Sequence, residues 1–269
     1  MGDPTDLKSV KSSAIVIPDD FRPYPPGSFC LPSFYAKDVE SVLIPEGLLR
    51  DRIKALAREI HAKYASTDEE PAPLVLVCVL KSSFKFFCAL QLELELLNTE
   101  QSQLIAPPVS GAPYHNNGGQ GNGTAIPSAG ARLLPLLCEF IRVKSYVNTN
   151  SATENEVKIQ GLADPVEAFA QKDVLIVEDI IDSGRTMQAL LRNLQQYNMK
   201  SVRVVSMLWK RLIQGNSVSS FRPHFHGFEI PDRFVIGFGM DYNERYRDLN
   251  HLCIINAAGI ARYATNQPS

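Results

Sequence analysis

The stretch Val174-Leu175-Ile176-Val177-Glu178-Asp179-Ile180-Ile181-Asp182-Ser183-Gly184-Arg185-Thr186-Met187 decides how this 269-residue chain is read. Four branched apolar residues in a row read as a strand buried on both faces. Two adjacent carboxylates, an apolar pair and a small polar turn follow. A helix then opens, with Leu190, Leu191, Leu194 and Tyr197 on one face of residues 187–197. A further strand-like run at 202–209 makes the order strand, crossover helix, strand.

The same pattern extends outward. Leu74-Val75-Leu76-Val77-Cys78-Val79-Leu80 is a second buried strand. Before it, Leu49, Ile53, Leu56, Ile60 and Tyr64 fall at helical spacing after Pro45, and a second helix is expected over 84–97. Strand-like runs at 140–146, 234–238 and 252–255 complete the set. Such alternation predicts an α/β fold with a central, mostly parallel sheet flanked by helices. Ligands of such sheets bind at the carboxyl ends of the strands.

The turn at 182–186 has the chemistry of an anion site. Its backbone N–H groups and the first free N–H groups of the helix form a concavity, and Ser183 and Thr186 add hydroxyls. Gly184 permits a close approach that a side chain would block. Glu178 and Asp179 are acceptor-only groups delivered by the strand, suited to ribose hydroxyls or to the waters of a bound Mg²⁺. An isolated acidic pair before a helix would read as solvated loop charge with Ser183 helping to cap. The strand, pair, turn and helix in one order argue for a site instead. The stretch is no P-loop, lacking Gly-Lys-Ser/Thr after a four-residue spacer, and no dinucleotide fingerprint, lacking Gly-x-Gly-x-x-Gly.

Composition bounds the rest. Hydrophobic residues at 45% and charged residues at 21% are ordinary for a globular domain able to bury its own core. Lys+Arg 27 against Asp+Glu 29 gives a net charge of −2, so the chain has no global basic field for nucleic acid or anionic membrane. The amino terminus lacks a basic region followed by an apolar one, and Lys81 ends the longest apolar run far short of the roughly 20 residues of a membrane helix. The five cysteines are scattered, without zinc-site spacing, and read as reduced core thiols of a cytoplasmic protein. Residues 98–135 stand apart: Pro107-Pro108, Asn116-Asn117-Gly118-Gly119-Gln120-Gly121-Asn122-Gly123 and Pro127 show almost no apolar periodicity, so a disordered low-complexity insertion is expected. The polar stretch 148–155 reads as a flexible flap beside the strand ending at Tyr146. No internal repeat is present.

With these residues in view, the chain resembles the purine phosphoribosyltransferases, and closely the hypoxanthine-guanine members. The segment at 174–187 is similar to that family's binding motif for 5-phosphoribosyl-1-pyrophosphate, and the likeness covers most of the chain outside 98–135 and the two ends. The resemblance implies a type I phosphoribosyltransferase fold with a small hood subdomain. Residues 1–28 would be an extension and 29–269 the catalytic domain. It also implies a homodimer or homotetramer that needs Mg²⁺ and transfers the 5-phosphoribosyl group to a 6-oxopurine.

Residue by residue, the resemblance implies that Glu178 and Asp179 hold the ribose hydroxyls. Asp182 accepts the N7 proton of the base. The segment Ile180, Ile181, Ser183, Gly184, Arg185 and Thr186 lies along the phosphoribosyl group, with the backbone of 182–186 cradling the 5′-phosphate. Lys210 donates to the 6-oxo group, which disfavours adenine. Phe234 stacks on the purine, Val235 meets the ring edge through its backbone, and Asp241 lies near N2 of guanine and a second Mg²⁺. Thus Glu178, Asp179 and Asp241 are the implied metal-side carboxylates. Lys81, Ser82 and Arg247 face pyrophosphate, and Ser145 and Tyr146 belong to a loop that closes over the reacting centre. Taken singly, Lys210 is a solvent-facing strand-end lysine, Phe234 a core aromatic and Arg247 a surface partner of Glu244.

One departure carries an expectation of its own. After Leu80-Lys81 the family usually has two glycines, and this chain has Ser82-Ser83. If Ser82 takes a positive φ, its Cβ costs roughly 1–2 kcal/mol, about tenfold in affinity or rate per 1.4 kcal/mol. The expectation is a working but weakened site. Two other readings follow from the departure and the insertion: a weakened paralogue that binds purine nucleotide for regulation, and an interaction platform with 98–135 as its arm.

Overall fold

The computed structural model describes residues 13–68, 70–103, 130–146, 156–212 and 221–264. In chain order the elements are β1 (Ile15–Val16), β2 (Val39–Ile44), α1 (Glu46–Tyr64), β3 (Leu74–Leu80), α2 (Phe84–Gln103), β4 (Leu136–Tyr146) and β5 (Glu156–Gln160). Then come α3 (Pro165–Phe169), β6 (Asp173–Ile181), α4 (Arg185–Leu194), β7 (Ser201–Arg211), β8 (Phe225–Pro231), β9 (Val235–Ile236), β10 (Leu252–Ile255) and α5 (Ala257–Arg262). Seven strands form the main sheet in the order β1-β8-β7-β6-β3-β4-β5, parallel throughout except for β5 against β4. The expected α/β architecture with a mostly parallel sheet is what the chain adopts.

The buried runs show why. Along β3, Leu74, Leu76 and Cys78 pack in the cluster that holds Leu49, Ile53, Leu56 and Ile60 of α1 with Phe86, Phe87 and Leu90 of α2. Val75, Val77 and Val79 face the opposite cluster with Leu190 and Leu194 of α4 and Phe169 of α3. Both faces of the strand are covered by helices, so every residue must be apolar and the run cannot alternate with polar ones. Each fully buried Val or Leu side chain contributes about 1.5–3 kcal/mol.

A second sheet, β2-β10-β9, is small and antiparallel, matching the implied hood. The run at 234–238 belongs here, shortened to Val235–Ile236, because Phe238 turns into the left-handed region at φ 50°. Four strands escaped the sequence reading: β1, β2, β5 and β8. β1 is only two residues long and lies at the edge of the main sheet, pairing with β8 through Ile15 and Phe228.

Residues 98–103 are the last turns of α2, not the start of the insertion, and β4 begins at Leu136. The Asn98 side chain donates to the Leu134 carbonyl at 2.7 Å and accepts the Leu134 N–H at 3.0 Å. Arg132 donates to the carbonyls of Ala62 and Ala65, and Leu134 is buried in the core. Polar composition concealed these anchors because each one is a hydrogen bond to backbone, which leaves no apolar periodicity. The remainder of that insertion, 104–129, and the flap residues 148–155 lie outside the described residues.

The start of β8 and the residue before it carry a pH-sensitive feature. Burial pushes both His224 and His226 down to about 4 from an ordinary value of 6.5; His224 Nδ1 accepts the Val204 N–H at 3.2 Å. With the folded value depressed, the unfolded chain binds more protons between pH 6.5 and 4, so stability is full above that window and falls as the pH drops through it. The expected loss is roughly 2 kcal/mol per histidine by pH 5. Urea midpoints measured between pH 7.5 and 4.5 should fall less steeply for His226→Gln; parallel curves would refute the assignment.

Candidate active site

Four parallel strands deliver the site at their carboxyl ends. β6 is longer than the sequence suggests, ending at Ile181, so Glu178 and Asp179 lie inside the strand rather than after it. The pair is held close to the sheet: Asp179 is buried and Glu178 half-buried. Burial and the Asp179 charge raise Glu178 well above the usual carboxylate range. After the strand, Asp182, Ser183 and Gly184 make the turn, with Gly184 at φ 74° as the residue before α4. A Cβ there would meet the left-handed penalty. The first N–H groups of α4 have no carbonyl within the helix to bond, so they face the turn as donors.

Lys210, near the end of β7, is 11% exposed and lies 3.4 Å from Asp182 Oδ2 and 3.4 Å from Asp232 Oδ1. It is therefore not the solvent-facing strand-end lysine that the residue alone would suggest. Asp182 itself is 58% exposed. A cleft of about 240 Å³ opens between these groups and the hood. It is lined by Ser82, Asp179, Ile180, Asp182, Lys210, Phe234, Val235, Met240 and Asp241. Sequence named all of these but Met240. Phe234 is 51% exposed at this opening, edge-on to Tyr242 at 5.6 Å between ring centroids, and so is a cleft-wall aromatic rather than a core one.

The turn after β3 completes the floor. The Leu80–Lys81 peptide is cis, and neither Ser82 nor Ser83 has a positive φ. The Cβ penalty expected at Ser82 therefore does not arise. A Cβ on Gly239 would come within 2.1 Å of the Ser82 carbonyl oxygen, so only glycine lets the hood loop close onto this turn. Ser83 is fully buried; its hydroxyl donates to Glu178 Oε1 at 2.7 Å and accepts the Asp179 N–H at 3.1 Å.

Arg247 does not line the cleft. It pairs with Asp241 at 2.8 Å and Glu244 at 3.3 Å and donates to the Gly239 carbonyl at 2.9 Å. Lys81 reaches the same Glu244 at 3.1 Å. The two cations thus share a carboxylate beside the cleft. Ser145 and Tyr146 end β4, paired through backbone with Val157 and Glu156; their side chains lie outside what is described. Sequence reading missed Asp232 because it follows β8, a strand it had not located, and it quoted Ser83 without giving it a partner.

Among the described residues no group of three or more His, Cys, Asp or Glu side chains converges as a metal cage. Nor is any described helix long and apolar enough to cross a membrane.

Comparison with known proteins places this geometry. The family model for the phosphoribosyl transferase domain matches residues 46–243, and the chain belongs to that family. The rat hypoxanthine-guanine phosphoribosyltransferase is 40% identical over 255 residues, 95% of this chain and 99% of the relative. The human enzyme of that name is 38% identical over the same shares. A crystal structure of the Schistosoma mansoni enzyme in complex with IMP superposes with a TM-score of 0.66 at 32% identity, covering 94% of this chain and all of that one. Within the family, then, the chain falls among the hypoxanthine-guanine phosphoribosyltransferases, and its activity is purine phosphoribosyl transfer.

Proposed function

We propose that the cleft takes 5-phosphoribosyl-1-pyrophosphate and hypoxanthine or guanine, and yields IMP or GMP with pyrophosphate. The carrying observation is that one cleft joins Asp179 and Asp182 of the β6 segment to Lys210 and the hood residues Phe234 and Asp241. That the Schistosoma mansoni relative was solved in complex with IMP supports a purine nucleotide as ligand. The purine nitrogen attacks C1′ of the ribose, the C1′–oxygen bond to pyrophosphate breaks, and the N7 proton passes to Asp182. Glu178 and Asp179 orient the ribose hydroxyls, and 182–186 receives the 5′-phosphate through backbone donors.

Lys210 has three N–H donors. Two are engaged by Asp182 and Asp232, which leaves the third for the 6-oxo oxygen. Phe234 offers its face to the purine, Val235 its backbone, and Asp241 lies on the side assigned to N2. Lys81, Ser82 and Arg247 receive pyrophosphate, Arg247 by leaving its present carboxylate partners, and Ser145 and Tyr146 close over the centre. The catalytic domain in this proposal is 29–269, with 1–28 as its extension.

Mg²⁺ fits the donor set. It binds through one or two carboxylates and substrate phosphates rather than a protein cage, and Asp179 and Asp241 both line the cleft. When bound, it would neutralise the phosphate charge beside those carboxylates and Glu178. Turnover of hypoxanthine by the purified protein, followed in the ultraviolet, should fall at least 100-fold with excess EDTA and return with Mg²⁺. Undiminished turnover in EDTA would exclude the metal role.

Homodimerisation or tetramerisation belongs to the same proposal, supported by an exposed apolar stripe of Phe84, Cys88, Leu92 and Leu96 at four-residue spacing on α2. So does a cytoplasmic location, supported by five free cysteines. The weakened-paralogue reading loses one of its two motives, since neither Ser82 nor Ser83 takes a positive φ.

A further inference from the structure

We propose that Ser83 is a positioning residue for the phosphoribosyl donor, its buried hydroxyl fixing the Glu178–Asp179 pair in the orientation that meets the ribose. The proposal rests on the reading that this pair holds the ribose hydroxyls. Ser83 is 0% exposed. Its Oγ lies 2.7 Å from Glu178 Oε1 and 3.4 Å from Asp179 Oδ1, and it accepts the Asp179 backbone N–H at 3.1 Å. One hydroxyl therefore touches both members of the acidic pair and the backbone between them.

A serine hydroxyl carries one proton. At 2.7 Å that proton belongs to Glu178, and the N–H from Asp179 fills the oxygen's acceptor side. The backbone that carries the hydroxyl is held in place, because the Ser83 carbonyl accepts the Phe87 N–H at 2.8 Å at the start of α2. Two adjacent carboxylates at the end of a buried strand repel each other, and their side chains would otherwise settle by rotating apart. The bond from the β3–α2 turn removes that freedom for Glu178, while Asp179 remains on the cleft wall. Donor binding then loses less rotamer entropy. Apolar packing at this point requires no hydroxyl, so the group serves the pair rather than the core.

The sign is opposite to that of a strained turn: glycine at position 83 should harm the enzyme. The test measures initial rates of the full chain over a matrix of donor and hypoxanthine concentrations for Ser83→Ala, Ser83→Gly and the nearly isosteric Ser83→Cys. Loss of a hydrogen bond to a charged group predicts a donor KM raised about tenfold, with the hypoxanthine KM and kcat within about twofold. In a Glu178→Ala background the effect of Ser83→Ala should shrink below about twofold, since the partner is gone. An unchanged or lowered donor KM in the three variants would overturn the proposal, as would an equal rise in both KM values or full additivity with Glu178→Ala. Glu178→Ala and Asp179→Asn alone separate the two levels of the argument. If neither raises the donor KM, the reading of the acidic pair fails first; if they raise it and Ser83→Ala does not, only the role of Ser83 fails.

Discussion

Asp182→Asn should lower kcat with hypoxanthine by about 10²–10⁴-fold, the range that a positioned general base supplies. Asparagine keeps the size of the side chain and an oxygen that can still accept from Lys210, 3.4 Å away in the native chain. What it cannot do is take the N7 proton. Because Asp182 follows the last residue of β6 and stands more than half exposed, the exchange buries no new polar atom and the melting temperature should move by no more than about 2 °C. The purine KM should change little, since stacking on Phe234 and the Lys210 contact survive. Steady-state rates at saturating donor and Mg²⁺ provide the measurement. A fall of less than tenfold would remove Asp182 from the base position.

The second large effect is one of specificity. Lys210→Gln should lower kcat/KM for hypoxanthine about 100-fold while leaving the slow reaction with adenine unchanged or faster, so that the ratio between the bases collapses by two orders of magnitude. An ammonium can only donate, which suits a 6-oxo oxygen and rejects a 6-amino group; a glutamine amide can present either its N–H or its oxygen. A hydrogen bond to a charged group is worth about 1.5–3 kcal/mol, which covers the expected ratio. The substitution also leaves Asp182 and Asp232 without the cation that lies between them, so part of the fall in rate is electrostatic. Specificity is therefore read from the ratio of kcat/KM values measured with each base separately. A ratio that stays at the native value would place 6-oxo recognition elsewhere.

Much of the site was legible because its residues sit next to one another in the chain. Glu178 through Thr186 form one continuous strand end, turn and helix start, and local chemistry suffices to read that order. Lys210, Phe234 and Asp241 were reached only through family resemblance. Their neighbours confirm how little a single residue says: Phe234 could have been core, and Lys210 could have faced water. Asp232 and the partner of Ser83 were invisible, the first because β8 had not been located, the second because it lies 95 residues away in sequence.

The sequence by itself determined the alternation of buried strands and amphipathic helices, and hence the parallel sheet, because burial on both faces forces continuous apolar runs such as 74–80. It also determined the turn proposed to receive the phosphate, since backbone donors at a helix start need only local residues. Tertiary structure decided which strand ends meet. The sheet order sets β6 between β3 and β7, which carries Ser83 to Glu178 and Lys210 to Asp182, while the close fit of Gly239 on Ser82 brings the hood down over the cleft. It also decided that Ser82 and Ser83 are unstrained, with Ser83 hydrogen-bonded to the acidic pair. A serine's φ and the partner of its hydroxyl are set by the chain packed around it, and no local pattern encodes them.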